Sequence, residues 1–217
     1  MAAPETLRDE VARDLAPARP LARPAVRSLA LVPIALAILV GVPALHRLRY
    51  DLLAIGAFRA FGLSAIQAAV GLAIVALALR ESIPGRALSK PVLAGAFAAG
   101  ILVPLGVLAI TMQVSLLGPL PGEWFEVGAA CFRTSAFAAV PAIAVAGVLV
   151  ARAFPLRPGV AGALYGLGCG LMADAGLRLY CEMSAPRHVL LAHGGAIAAA
   201  TVAGMILARV VEKTRER

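Results

Sequence analysis

LALVPIALAILVGVPAL, residues 29–45, carries no charge, and its reading decides the kind of protein this is. A hydrocarbon core about 30 Å thick is crossed by roughly 20 apolar residues in a helix. A barrel strand would instead alternate apolar and polar positions, which this run does not do. At 17 residues the run could also pass for the core of a signal peptide. Its leader argues otherwise: residues 1–28 hold five arginines and four acids, and Val42-Pro43-Ala44 is followed by Leu45-His46-Arg47 rather than by a clear small-residue cleavage site. The segment is therefore expected to be a retained helix.

Five further charge-poor runs follow, at 61–79, 91–112, 134–151, 159–178 and 189–208. Over the 217 residues, 61% are apolar and 15% charged, and mean hydropathy is +0.89. That composition excludes both a water-soluble globular fold and a disordered chain, and the spans leave no room for a separate catalytic domain. The expected fold is an all-α integral membrane bundle of six transmembrane helices at 29–208, preceded by a leader at 1–28 and followed by a basic tail at 209–217. No enzymatic activity is expected.

Counting Lys and Arg on alternate sides of the spans places fourteen with the leader, the second and fourth loops and the tail, against six on the opposite side. The positive-inside rule then predicts that both termini are cytoplasmic. The net charge of +8 is accounted for by this asymmetry. It favours contact with anionic membrane lipid and removes the main argument for direct nucleic-acid binding.

Within the spans, Gly162, Gly166 and Gly170 form a doubled GxxxG stripe that is expected to meet a neighbouring helix, with packing inside the bundle or a homo-oligomer seam as the two readings. Asp174 and Arg178 are spaced as an i, i+4 ion pair. Gln67 and His193 are expected to hydrogen-bond across helices. The leader has two readings, a solvated or headgroup-resting tail and a helix that folds into the groove of a soluble partner. Thr6 and Asp9 fit a capping-box-like start, and Leu7, Val11 and Leu15 share one helical stripe that Pro17 ends. Prolines at 17, 20 and 24 then favour an extended arm.

On the far side of the membrane from the leader, Cys131 precedes the fourth span and Cys181 follows the fifth. Counted from the short turn joining these spans, the two lie roughly 30 and 33 Å up their helices, hence level, whereas Cys169 is about 15 Å up, near mid-bilayer, where a thiol is ordinary packing material. The level pair admits three readings: a structural disulfide, a switch driven by redox chemistry or a thiophilic metal, and two unconnected thiols. His188, His46, Glu182 and Met183 are available on the same side as supplementary ligands. No CxxC, HxxxH or acidic cage is present, so spacing alone defines no metal site and no thiol oxidoreductase. A run of intramembrane carboxylates for a proton relay is missing too, which weakens the alternative of a small six-span transporter or exporter. A purely structural membrane subunit is the third class.

Taken in order, Arg13-Asp14-Leu15-Ala16-Pro17-Ala18-Arg19-Pro20-Leu21, Arg49-Tyr50-Asp51-Leu52, Ser82-Ile83-Pro84-Gly85, Gly122-Glu123-Trp124 ahead of Cys131, and Tyr180-Cys181-Glu182 resemble the negative-regulator-of-sigma-F family from about residue 10 to 208. The family comprises six-span anti-sigma factors of the bacterial inner membrane, and its two-cysteine signature matches Cys131 and Cys181. The sequence departs from the family pattern at Leu191-Ala192-His193, where an aromatic residue is expected before the histidine. The resemblance implies a protein that sequesters an extracytoplasmic-function sigma factor and releases it when a periplasmic cysteine pair senses stress such as heavy metals or oxidants. The sigma-binding candidates are then Leu7, Val11, Arg13, Asp14, Leu15 and Arg19. Cys131 and Cys181 are the sensing pair, with His188 a candidate third ligand for a transiently bound thiophilic metal and no resident cofactor expected.

Overall fold

A computed structural model describes residues 9–12, 20–112 and 124–215, and no strand occurs among them. Among the described residues, six helices are long and apolar enough to cross a membrane: α1 (Pro24–His46), α2 (Phe58–Glu81), α3 (Lys90–Thr111), α4 (Glu126–Ala151), α5 (Pro158–Leu177) and α6 (Pro186–Arg215). α3 and α5 match the expected charge-poor runs to within one residue, whereas α1, α2, α4 and α6 run past them. α1 starts at Pro24, inside the expected leader, because proline suits the first helical position and has no N–H to leave unpaired. α6 continues through Arg209 and Lys213 into the expected tail, since a helix can carry long basic side chains into water without breaking its backbone bonds. Pro33 leaves its mark on α1: the Leu29 carbonyl, which Pro33 cannot serve, accepts from the N–H of Val32 and tightens that turn into a 3-10 segment.

α5 is the axis of the bundle. It is the least hydropathic of the six and the most buried, an inversion of the soluble-protein pattern that follows once lipid rather than water surrounds the molecule. Outer helices must present apolar side chains to hydrocarbon, whereas a central helix shielded by them can hold glycines and polar groups. The stripe of Gly162, Gly166 and Gly170 lies against α6: a Cβ on Gly162 would come within 2.5 Å of the Gly204 carbonyl oxygen, and Gly166 abuts Ala200 and Thr201 as closely. On the other side Gly168 meets Gly71 of α2 backbone to backbone, and Gly176 meets Ile38 of α1. The glycine stripe is thus used for packing within the bundle.

The two ends of the bundle differ. At the end where α1 begins and α6 finishes, here called the terminal end, Arg157 pairs with Glu81 at 2.6 Å, Arg27 donates to the Leu149 carbonyl and Arg215 to that of Ala151. The opposite end carries two of the three cysteines and is called the thiol end.

Candidate thiol and imidazole site

α4 brings Cys131 to the thiol end on a stripe of buried residues, Cys131, Ser135, Ala139, Ala142, Ala146 and Val150, whose three- and four-residue steps keep one face toward α5. Cys131 lies within the helix, more than a turn from its start. Cys181 sits where the chain leaves α5, its N–H donating to the Leu177 carbonyl at 2.7 Å. The two Sγ atoms are 3.6 Å apart, and both thiols are free.

α6 opens with Pro186 and carries His188 in its first turn, with Nε2 3.3 Å from Sγ of Cys181. Residues Val189–Gly194 then form a π-helical turn. In an α-helix His188 and His193 would face about 140° apart; the wider turn gathers them, and their rings meet edge to face with centroids 5.3 Å apart. One donor atom from each of Cys131, Cys181, His188 and His193 lies within 4.8 Å of every other, and all four residues are buried.

Below this group, Asp174 ties the thiol end together. Its carboxylate meets Nδ1 of His193 at 2.6 Å, accepts from Nε2 of Gln67 at 2.7 Å and from Nε of Arg178 at 3.2 Å. The i, i+4 pair expected from spacing is present, and the cross-helix bonds of Gln67 and His193 both end on the same carboxylate. Three helices, α2, α5 and α6, therefore share one buried anion, which is how a charge is held away from water at tolerable cost. Arg178 also donates to the Pro104 carbonyl of α3 at 3.3 Å. Arg49, buried and paired with Asp51 at 2.6 Å, donates to the Arg178 carbonyl at 3.1 Å and straps the link that holds Cys181.

The hydrogen bond with Cys131 holds the Cys181 thiol well below the ordinary thiol pKa against the opposing effect of burial, and His188 adds to the lowering. A thiol so placed is nucleophilic and a ready soft ligand. A cavity of ≈ 420 Å³ lined by Gly128, Phe132, Arg187, His188 and Leu191 borders this group on the His188 side.

Of the residues singled out from sequence, Cys131, Cys181 and His188 come together. His46 does not join them but stacks on Tyr180 with centroids 4.9 Å apart. Glu182 faces Arg47 at 3.8 Å, and the carbonyl of Met183, not its thioether, approaches Cys181 at 4.0 Å. Cys169 is buried in the separate core cluster around α5. His193 is the residue that sequence reading did not place in this group; the five-residue interval from His188 would have pointed to it only if the π-helical turn had been foreseen. In the leader, residues 9–12 are helical and Val11 is 53% exposed, while Leu7, Arg13, Asp14, Leu15 and Arg19 lie outside the described residues.

A family model described as negative regulator of sigma F matches residues 11–213. No curated protein and no solved structure matches the chain.

Proposed function

The chain belongs to the negative regulator of sigma F family, and on that premise we propose that it is an inner-membrane anti-sigma factor that holds an extracytoplasmic-function sigma factor through its leader and releases it when chemistry at the thiol end changes. The observation that carries this reading is the extent of the match, which runs from residue 11 of the leader through all six helices. A family defined by negative regulation of a sigma factor thus includes both the segment fit for a soluble partner and the thiol pair at the other end of the bundle.

The charge asymmetry supports cytoplasmic termini and an extracytoplasmic thiol end, the arrangement a sensor of external stress requires. Heavy metals and oxidants are the agents that two neighbouring thiols would report. Release needs two arrangements of the bundle that the thiol state biases differently. The closely packed seam of α5 on α6 offers a rigid contact along which a shift at the thiol end would reach the terminal end. In the leader, Leu7, Val11 and Leu15 would supply apolar anchors, and Arg13, Asp14 and Arg19 the rim charges that set register.

Affinity capture from solubilised membranes, with the leader intact or deleted, tests the reading. A sigma factor should be recovered only with the leader. The double substitution Val11→Asp with Leu15→Asp should abolish recovery while leaving membrane insertion unchanged, because two charges on the apolar stripe cannot enter an apolar groove. Undiminished sigma binding by that variant would remove the leader from the mechanism.

A further inference from the structure

We infer that Cys131, Cys181, His188 and His193 form a closed four-donor site for a soft divalent cation of the zinc and cadmium class, with Asp174 as the outer carboxylate that aims His193. The regulatory consequence of this site rests on the anti-sigma reading; the site itself rests on geometry.

Tetrahedral coordination with metal–sulfur bonds of about 2.3 Å and metal–nitrogen bonds of about 2.0 Å places sulfurs roughly 3.8 Å apart and sulfur and nitrogen roughly 3.5 Å apart. The observed separations are 3.6 Å between the two Sγ atoms and 3.3 Å between Sγ of Cys181 and Nε2 of His188. These are the edges of such a tetrahedron within a few tenths of an ångström. All four donors fit within 4.8 Å of one another.

Two further observations point to a ligand. His193 is 2% exposed, and among the described residues no hydrogen-bond partner is assigned to its Nε2, which stands beside Cys181, while its Nδ1 is engaged by Asp174. An imidazole that gives one nitrogen to a buried carboxylate and keeps the other free, beside two thiols, has the carboxylate–histidine arrangement typical of metal ligands, in which the outer acid fixes the tautomer and raises basicity. The cavity of ≈ 420 Å³ has His188 in its wall, so one of the four donor residues borders open space. Soft thiolates and imidazoles select against magnesium and calcium. Binding converts the two thiols to thiolates and releases up to two protons to solvent; no electron is transferred. Because the donors come from α4, from the link after α5 and from α6, a bound cation would clamp both flanking helices to the axis of the bundle.

The test uses the full chain, purified in detergent with its thiols reduced, titrated with Cd2+ and followed by thiolate-to-metal charge-transfer absorption, with Co2+ as a reporter of tetrahedral geometry. One equivalent should bind. Cys131→Ser and Cys181→Ser should each lose the signal, and Cys169→Ser should keep it. His188→Gln, which removes a ring whose hydrogen-bond partner among the described residues is Cys181, and Asp174→Asn should each weaken binding roughly 10–100-fold. His193→Cys, which restores a soft donor at the same position, should recover tight binding where His193→Gln does not.

Wild-type Cd2+ affinity in both histidine→Gln variants would overturn the four-donor site, as would failure of the reduced wild-type chain to take up a stoichiometric cation. Sigma capture by the same preparations separates the two ideas. Intact capture with those negative titrations sinks the site alone, whereas absent capture with a positive titration sinks the anti-sigma reading and leaves the site standing.

Discussion

The terminal end and the thiol end of the bundle are both held by polar contacts between helices, yet they are made of different chemistry. At the terminal end, guanidinium groups meet a carboxylate or a backbone carbonyl: Arg157 on Glu81, Arg27 on Leu149, Arg215 on Ala151. None of these partners changes on meeting an oxidant or a soft metal. At the thiol end, a guanidinium and a carboxylate also meet, Arg178 on Asp174, but the same carboxylate reaches His193, and beside it stand two thiols and a second imidazole. Polarisable donors have been added to an otherwise static lock. The contacts of the terminal end offer no thiol or imidazole, whereas the thiol end carries groups whose chemistry includes oxidation and ligation of soft metals.

The largest effect expected from breaking this contrast falls on signalling. If the thiols act as one unit, Cys131→Ser, Cys181→Ser and the double variant should each abolish the response to metal or oxidant, to the same extent, in a reporter of the sigma regulon. Independent thiols would instead give effects that sum. Because its hydrogen bonds hold the Cys181 thiol below the ordinary thiol pKa, its alkylation should persist as pH falls below the range in which a free thiol stops reacting; an alkylation profile like that of free cysteine would contradict the assigned hydrogen bonding.

Next comes Asp174→Ala, which strands Arg178 inside the bundle and removes the anchor of His193. Loss of one partner from a buried pair costs about 3–5 kcal/mol, visible as a lower detergent or temperature threshold for loss of helicity. Glu81→Gln, its counterpart at the terminal end, should cost only about 1 kcal/mol. Arg157 is 43% exposed there and can turn to water, and the glutamine oxygen can still accept from the N–H of Leu88. Thiol labelling in this variant should match the wild type, and altered labelling would show that the two ends are not separable. The smallest change is Cys169→Ser. Its new hydroxyl can bond back to the preceding turn, so stability should fall by about 1 kcal/mol or less and the response should be unaltered.

Sequence reading located the two cysteines at one level because height along a helix is a count of residues, and the turn between α4 and α5 is short enough to make the count reliable. It located the Asp174–Arg178 pair for the same reason, since neighbours at i, i+4 are a local property. What it could not supply was azimuth. Gln67, Asp174 and His193 come from three helices, and their meeting depends on how each helix is rotated about its own axis. For His193 the rotation is set by the π-helical turn at Val189–Gly194, for which the apolar sequence of that segment gives no sign. Helix limits shifted for a simpler reason: hydropathy falls away before Leu29 and beyond Ala208, while backbone hydrogen bonding continues out to Pro24 and Arg215.

By itself, then, the sequence determined the helical class, the number of spans, the stripe of glycines and the heights of the chemically active residues, because each is a property of one segment in hydrocarbon. Only the tertiary structure decided that α5 is the axis, that its glycines meet α6 and α2, and that Asp174 gathers residues from three helices beneath two thiols and two imidazoles. Those are relations between segments, and in a bundle whose helices are all apolar no one helix carries a hydrophobic face that would announce its orientation; close backbone contact and a few buried polar bonds select it instead.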